Sequence, residues 1–270
     1  MNRRLEVLKH WCFGKKNGVS LKDLARFLMS PGYSSKASAK INSIDETREY
    51  LVMHFKDVKE PLYCPKDVNK AKLFQIVGEM MYPKDWHYYE IDQTRVSPQD
   101  IVLDCGAAEG LFSLLIANRC KKVYAIEPLN SFVKAMKVTF SGFNNIEIIP
   151  VALSDRELKG SLLENGISSH VIAGGEGVPV EITTIDRLFH DKDRPVSYIK
   201  ADLEGCEMEM LKGARKTIGK YKPKIVITTY HDKDHADMIS RYLKSINSDY
   251  KILLKGIKGK LGLYVMLHAW

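Results

Sequence analysis

The stretch VLDCGAAEGLF, residues 102–112, constrains the fold more than any other part of the chain. An apolar run ends at the acid Asp104, and Gly106 and Gly110 follow before a second apolar run begins. This pattern predicts a β-strand that turns tightly into an α-helix. A glycine in such a turn lets a ligand approach the backbone, and the first turn of the helix offers free N–H groups. The stretch therefore predicts a nucleotide-binding turn.

The residues around this turn indicate which nucleotide it binds. Ala108 stands where the dinucleotide motif G-x-G-x-x-G has the glycine that makes room for pyrophosphate, so pyrophosphate is disfavoured. Asp104 would repel a diphosphate and attract a cation. The next apolar run, KVYAIEP, ends at Glu127, which is placed to accept hydrogen bonds from the two ribose hydroxyls. Together these residues favour S-adenosylmethionine, which carries an ammonium, a sulfonium and a ribose diol.

A third apolar run, IEIIPVALSD, ends at Ser154 and Asp155. Asp155 can accept a hydrogen bond from the adenine amino group, with Ala152 and Leu153 packed near the ring. An acid in a simple turn explains the pattern equally well. Both interpretations stay open.

From about residue 100 onwards, short β-rich runs alternate with helical patterns, which predicts an α/β fold with a parallel sheet covered on both faces. The predicted strands are 101–104, 122–126, 146–150, 196–201, 224–230, 250–254 and 262–268, and the predicted helices are 110–119, 129–140, 204–219 and 234–246. An insertion at about 155–195 interrupts the alternation with GSLLE and VPVEITTI, which predict a hairpin or a short strand pair. The predicted domain boundary separates residues 1–95 from residues 96–270.

The first 95 residues predict a helical N-terminal extension. Ser20 with Asp23, and Ser43 with Glu46, resemble helix capping boxes, the second one ahead of REYLVMHF. The run KAKLFQIVGEMMYP gives a third predicted helix, and SPGYSSKASAK reads as a loop.

Composition excludes several classes of protein. With 45% hydrophobic and 27% charged residues and no apolar run long enough to cross a bilayer, a cytoplasmic globular protein is expected. Five unevenly spaced cysteines indicate neither a disulfide framework nor a zinc knuckle. The net charge of +8 is dispersed, which is typical of a lysine-rich surface, and no basic block marks a nucleic-acid arm. The sequence leaves the oligomeric state open.

The segments DCGAAEG, VYAIEP, VALSD, VEITTIDRL, YIKADLEGCEMEMLKGA and ITTYHDKDH resemble the FkbM family of S-adenosylmethionine-dependent methyltransferases over about residues 101–254. The resemblance implies a Rossmann-like methyltransferase sheet with a reversed last strand, and transfer of a methyl group to a hydroxyl of a sugar, glycan or secondary metabolite. It implies cofactor roles for Asp104, Gly106, Gly110 and Glu127. Ala108 departs from the family, which usually has asparagine there.

Two residues at the ends of later strands are candidates for catalysis. Asp202 follows the strand VSYIKA and can orient or deprotonate a hydroxyl of the acceptor. His231 follows KIVITTY, and an imidazole is suited to taking a proton from a hydroxyl. A structural histidine is the alternative. Glu204 and Glu207 suit the first turn of a helix, an interpretation preferred for Glu207, whereas Glu204 is also a candidate acceptor contact.

A divalent metal is the alternative to a general base. Asp202, His231 and Asp232 can gather a cation such as Mg²⁺, which would acidify the acceptor hydroxyl. The sequence does not choose between the two.

The acceptor is expected to lie against two segments. Trp86, His87, Tyr88 and Tyr89 precede the predicted sheet and carry rings with polar tips, which suit carbohydrate surfaces. His170, in the insertion, is a further candidate contact.

Three other functions remain as alternatives. An RNA methyltransferase fits the positive charge, but the amino-methylating motif N/D-P-P-Y is missing where Asp202 and Leu203 stand. A nicotinamide dehydrogenase shares the sheet but conflicts with Ala108. A non-catalytic nucleotide-binding module is the third.

Overall fold

A computed structural model describes residues 3–163, 170–172 and 178–270. Its N-terminal part contains helices and a small antiparallel sheet of order β1-β2-β3. The elements are α1 (Arg3–Phe13), α2 (Leu21–Met29), α3 (Tyr33–Lys40), β1 (Ile41–Glu46), β2 (Tyr50–Phe55), β3 (Leu62–Pro65) and α4 (Lys70–Met80). None of the helices in the described ranges has both the length and the apolar character that a bilayer crossing requires.

The N-terminal extension is only partly helical, which corrects two predictions. The predicted helix over REYLVMHF is the strand β2, and its supposed cap residues Ser43 and Glu46 lie in β1. A short apolar run does not distinguish a strand from a helix, and here the pairing of β2 with two neighbouring strands decides. The predicted loop SPGYSSKASAK contains α3. The first capping box is confirmed: Asp23 N–H donates to Ser20 Oγ at 3.1 Å.

The chain from residue 101 to 269 forms the larger sheet, a second small sheet and the helices that connect their strands. Its strands and helices are β4 (Ile101–Cys105), α5 (Leu111–Ile116), β5 (Lys122–Ile126), α6 (Asn130–Thr139), β6 (Ile146–Ile149), β7 (Ala152–Leu153), β8 (Leu158–Leu163), β9 (His170–Ile172), β10 (Val178–Thr183), β11 (Tyr198–Ala201), α7 (Glu207–Lys212), α8 (Arg215–Tyr221), β12 (Lys224–Thr228), α9 (His235–Ile246), β13 (Ile252–Lys255) and β14 (Met266–Ala269). The larger sheet has the strand order β13-β14-β12-β11-β4-β5-β6.

Strand direction confirms the predicted fold class. β4, β5, β6, β11 and β12 pair in parallel, whereas β14 runs antiparallel to both of its neighbours. This is a Rossmann-like sheet with a reversed last strand. The predicted helix over 204–219 is divided into α7 and α8, since the chain leaves helical geometry near Ala214.

The predicted strand pair in the insertion is present as β8 and β10, which pair antiparallel in a second sheet of order β7-β10-β8-β9. Parallel pairing brings the carboxyl ends of β4, β5 and β11 to one edge of the larger sheet. The predicted site residues are therefore expected to lie at that edge.

Candidate cofactor and acceptor site

A cleft of about 920 Å³ opens at this edge, and we call it the cofactor cleft. Seven residues predicted from the sequence line it: Gly106, Ala108, Glu127, Ala152, Leu153, Asp202 and Glu204. The predicted residues Asp104, Gly110, Ser154 and Asp155 are not part of the lining.

The turn after β4 has left-handed backbone at three positions. Gly106, Ala108 and Gly110 have φ of 73°, 47° and 85°. A Cβ on Gly106 would lie 2.1 Å from the carbonyl oxygen of Asp202, so this glycine also permits the close approach of the chain that leaves β11. Gly110 packs against Phe140 instead of the cofactor cleft. The turn was predicted correctly, but its two glycines are also required by contacts within the protein, with Asp202 and with Phe140.

Asp104 does not face the cofactor cleft, which corrects the charge argument made for it. Its side chain is fully buried, and Oδ1 lies 2.9 Å from Lys200 Nζ. Ser113 Oγ donates to Oδ2 at 2.7 Å. Asp104 and Lys200 are register partners on β4 and β11, and Lys200 also donates to the Gly106 carbonyl at 2.8 Å. This buried ion pair neutralises the acid and holds the turn on its strand.

Glu127 lies at the end of β5 and lines the cofactor cleft, as the sequence predicted. Its carboxylate accepts hydrogen bonds from the backbone N–H groups of Ala108 and Leu129, at 3.0 and 2.9 Å. Burial raises the pKa of Glu127 to about 7, against the effect of these two hydrogen bonds. The carboxylate is thus fixed at the rim of the turn and has oxygen lone pairs left for a ligand.

Glu109 is an acid that sequence reasoning missed. It lines the cofactor cleft, is only 1% exposed, and its Oε2 has no hydrogen-bond partner among the described residues. Burial raises the pKa of Glu109 to about 7. The sequence placed Glu109 at the start of a helix but gave no sign that its side chain turns inwards.

The side of the cofactor cleft next to β7 is apolar. Val151, Ala152 and Leu153 line it, in agreement with the packing expected for two of them. The Asp155 carboxylate instead pairs with Arg156 at 3.1 Å, and Ser154 Oγ is 3.4 Å from that carboxylate. The structure therefore places Asp155 in a turn, not in the cofactor cleft.

Asp202 stands at the centre of a hydrogen-bonded group. Tyr89 donates its hydroxyl to Oδ2 at 2.8 Å, and Thr228 donates to Oδ1 at 3.0 Å. Burial by itself would raise the pKa of Asp202, but the electrostatic effects of His87, Lys200 and His231, together with the hydrogen bond from Tyr89, outweigh it and lower the pKa. Asp202 is therefore an ionised group held in a fixed orientation.

His231 lies beside Asp202, as predicted, and faces three carboxylates. Its Nε2 is 3.9 Å from Asp202 Oδ1 and 3.5 Å from Glu204 Oε2, while its Nδ1 is 3.0 Å from Glu207 Oε1. Burial would lower the pKa of His231, but the contact with Glu207 and the other two carboxylates raise it above its ordinary value.

The predicted metal set is not assembled as expected. Asp232 accepts a hydrogen bond from its own loop, from Asp234 N–H at 3.0 Å, and is absent from both groups of donor atoms close enough to hold an ion in the described chain. Asp202, Glu204 and His231 do form one such group. Its imidazole makes it a poor match for Mg²⁺, which prefers oxygen ligands.

The aromatic segment before the sheet divides between the site and the core. His87 Nε2 lies 2.9 Å from the Tyr230 hydroxyl and 3.9 Å from Asp202 Oδ2, so His87 and Tyr89 join the catalytic candidates. Trp86 stacks on Phe27 with ring centroids 4.6 Å apart, and it belongs to the packing of the N-terminal extension. Trp86 and His87 were both predicted as acceptor contacts, but only His87 lies beside Asp202.

Two further acceptor candidates do not gain support from the geometry. The Tyr88 hydroxyl donates to Glu90 Oε2 at 3.2 Å, on the side of the chain that faces Arg119. His170 begins β9, but its side chain lies outside the part of the structure that is described.

Known proteins resemble the chain in sequence and in fold. Residues 104–250, more than half of the chain, match the methyltransferase FkbM domain. The FkbM methyltransferase of Methylobacillus flagellatus is 22% identical, with a TM-score of 0.51 over 77% of this chain and 56% of that one, a likeness of fold.

Two curated relatives match shorter segments. An uncharacterised protein of Methanocaldococcus jannaschii is 41% identical over 56 residues, 20% of this chain and 22% of that protein. Ribosomal RNA small subunit methyltransferase A of Halothermothrix orenii is 28% identical over 94 residues, 35% of this chain and 31% of that protein. The matched segments span less than a third of these relatives. Since the FkbM domain covers the cofactor turn and the strand ends that carry Glu127, Asp202 and His231, the chain belongs to the FkbM family of S-adenosylmethionine-dependent methyltransferases.

Proposed function

We propose that the protein transfers the methyl group of S-adenosylmethionine to a hydroxyl of a sugar, glycan or other small metabolite. The observation that carries this proposal is the position of Asp202. Asp202 lines the cofactor cleft, and its carboxylate lies beside Tyr89 and His231, which together can bind and deprotonate a hydroxyl.

The cofactor end of the cleft suits a cationic adenosyl compound. Glu127 offers its free lone pairs to the ribose diol, and Leu153 with Ala152 offers an apolar surface for the adenine ring. Glu109 adds a second carboxyl group in the lining of the cleft, and its Oε2 lacks a hydrogen-bond partner in the described chain. Binding of a sulfonium and an ammonium would favour the ionised forms of both glutamates.

Methyl transfer needs alignment and the removal of one proton. The acceptor oxygen forms a bond to the methyl carbon while the bond from sulfur to that carbon breaks, and S-adenosylhomocysteine leaves with the electron pair. His231 Nε2 takes the hydroxyl proton, and the ionised Asp202 orients that hydroxyl. Only the neutral imidazole can take this proton, so the rate should rise as the pH passes through the pKa of His231. The neighbouring carboxylates raise that pKa, so the rise should lie above the ordinary range of histidine.

The acceptor end is polar and partly built from the N-terminal extension. Tyr89, His87 and Tyr230 surround Asp202 with hydroxyl and imidazole groups, which suit an acceptor with several hydroxyls. Ile76 and Met80 of α4 line the cofactor cleft. These contacts support the proposal that residues 1–95 form a cap over the acceptor side of a methyltransferase domain at 96–270.

Incubation of a metabolite or glycan extract with the protein and methyl-labelled S-adenosylmethionine tests the function by mass spectrometry. We expect one labelled methyl group on a hydroxyl-bearing compound. His231→Gln and Asp202→Asn should each slow this transfer about 10²- to 10⁴-fold, since each removes a group that handles the proton. Asp232→Asn, in the exposed loop beside His231, is the matched control and should leave the rate unchanged. If His231→Gln and Asp202→Asn both keep the wild-type rate, the catalytic assignment is wrong.

The affinity for S-adenosylmethionine should increase with pH. Burial raises the pKa of Glu127 and of Glu109 to about 7, so most of the free protein carries protons there at pH 6. The cation favours the ionised forms, so binding releases protons and tightens as the pH rises through this value. We expect Kd to fall about tenfold from pH 6 to pH 8 if one of the two carboxyl groups must be ionised, and further if both must be, since a group of pKa about 7 changes from mostly protonated to mostly ionised over this range.

Calorimetry at several pH values, in buffers of different ionisation enthalpy, measures both the affinity and the released protons. Glu127→Gln should reduce the proton release. A Kd and a proton count that do not change with pH would contradict the prediction.

An RNA methyltransferase is the second candidate. Two observations favour it: the net charge of +8 and the partial similarity to a ribosomal RNA methyltransferase. Binding to RNA would weaken steeply with salt as counterions are released, whereas binding of a neutral sugar would not. Label in the RNA fraction and none in the metabolite fraction would favour this alternative.

A further inference from the structure

Glu207 is a buried acid between two imidazoles. It is the first residue of α7 and is fully buried. Its Oε1 accepts the Leu203 N–H at 2.8 Å, and its Oε2 accepts the Gly205 N–H at 3.1 Å. On the other side, His231 Nδ1 is 3.0 Å from Oε1 and His235 Nδ1 is 3.6 Å from Oε2. The carboxylate therefore meets two backbone donors and two ring nitrogens.

The chemistry of these groups decides which nitrogen carries the proton. An ionised carboxylate only accepts hydrogen bonds, whereas a neutral imidazole has one nitrogen that donates and one that accepts. A ring nitrogen without a proton would bring a lone pair against the carboxylate of Glu207, which is repulsive. Glu207 Oε1 lies 3.0 Å from Nδ1 of His231, without hydrogen-bond alignment, whereas the carboxylates nearest to Nε2 lie 3.5 and 3.9 Å away. The closer charge makes the proton more favourable on Nδ1 and the lone pair more favourable on Nε2.

We propose that Glu207 is a positioning residue, which holds His231 as its Nδ1–H tautomer and so leaves Nε2 free to accept the proton of the acceptor hydroxyl. The catalytic consequence rests on the proposed function, but the tautomer itself does not. Nε2 is the nitrogen directed at Asp202 and Glu204, the two carboxylates whose residues line the cofactor cleft. Glu207 reaches the acceptor side through His231, while its two backbone hydrogen bonds hold the chain from Leu203 to Gly205.

Three carboxylates approach His231 from several elements, and the closest of them, that of Glu207, lies at Nδ1. Asp202 and Glu204 approach from the end of β11, Glu207 from α7, and the Tyr230 ring packs at 4.5 Å between centroids. His235, at the start of α9, shares the Glu207 carboxylate. The loss of the negative charge on Glu207 should therefore lower the pKa of His231, because the contact with this acid raises it.

The test is nitrogen-15 NMR of protein labelled in its histidine rings, titrated with pH. The chemical shifts of Nδ1 and Nε2 report which nitrogen carries the proton, and His231→Gln and His235→Gln identify the two signals. In the wild type, neutral His231 should show a protonated Nδ1 and an unprotonated Nε2. In Glu207→Gln the pKa of His231 should fall by about one unit or more, and the second tautomer should gain population. Glu209→Gln, on the same helix with a half-exposed side chain, is the control and should change neither.

Three results would overturn the inference. The first is a wild-type His231 protonated on Nε2 in its neutral form, and this measurement decides the matter even if Glu207→Gln fails to fold. The second is a folded Glu207→Gln with unchanged tautomer and pKa. The third is a set of ring shifts that a chelator reverses, because Glu207, His231 and His235 would then be metal ligands. None of these readouts uses a methyl acceptor, so failure here is distinguishable from failure of the proposed function.

Discussion

Replacement of Lys200 by Met is expected to lower the free energy of unfolding by about 3–5 kcal/mol, the usual cost of breaking a buried ion pair from one side. Lys200 is 2% exposed, and its Nζ is 2.9 Å from the fully buried carboxylate of Asp104. Met fills a similar volume, so the loss comes from the uncompensated charge and not from a cavity. Lys200 also donates to the Gly106 carbonyl, so the cofactor turn should loosen as well.

Urea unfolding, followed by circular dichroism, measures this change. The double variant Asp104→Asn with Lys200→Met removes the unpaired charge and should recover part of the lost stability, because Ser113 can still donate to the remaining side-chain oxygen. Lys212→Met, at a half-exposed position in the helix after β11, should change stability by less than about 0.5 kcal/mol. If Lys200→Met costs no more than Lys212→Met, the buried pair does not stabilise the fold.

Asp104 shows how far sequence reasoning reached at the cofactor turn. The strand, the turn and the helix were predicted, because a glycine pair after an apolar run has few structural solutions. The ion-pair partner of Asp104, Lys200, was not predicted. A lysine in the apolar strand YIKA was a usable signal, since β11 lies beside β4 in this fold and Lys200 is the register partner of Asp104. A charge in a strand buried on both faces needs a countercharge, and the adjacent strand is the nearest place for it.

The prediction of a helix over REYLVMHF in the N-terminal extension was wrong for a different reason. Ser43 and Glu46 have the spacing of a capping box, but a spacing is satisfied by any backbone conformation. Tyr50, Val52 and Phe55 are residues with strand preference, and β2 is stabilised by pairing on both edges, which a local pattern does not contain. The helices α2 and α4 were predicted correctly.

The candidate site was predicted as a set of strand ends but not as a network. Asp202 and His231 were found because both follow apolar strands. Glu207 was assigned to helix-start chemistry, and its hydrogen bonds to Leu203 and Gly205 agree with that. Its contact with His231 crosses from α7 to the end of β12, so only the folded chain reveals it. Glu109 escaped notice for the same reason: the direction of its side chain depends on the left-handed backbone at Ala108 just before it.

Gly106→Ala should have the second large effect, on stability and on cofactor binding together. The added Cβ would lie 2.1 Å from the carbonyl oxygen of Asp202, and the backbone at Gly106 has φ of 73°, which costs an L-residue about 1–2 kcal/mol. The crowding adds about 1–3 kcal/mol, because β4 and β11 must move apart. Such a movement displaces Ala108 and Asp202, which line the cofactor cleft, so affinity for S-adenosylmethionine should also fall.

Urea unfolding and calorimetry with S-adenosylmethionine measure the two effects of this replacement. Gly142→Ala is the matched control, because a Cβ there meets nothing within 4 Å and the backbone is not left-handed. It should leave both quantities within experimental error of the wild type. If Gly106→Ala behaves like Gly142→Ala, the close approach of the two strand ends is wrong, and with it the account of why this turn requires a glycine.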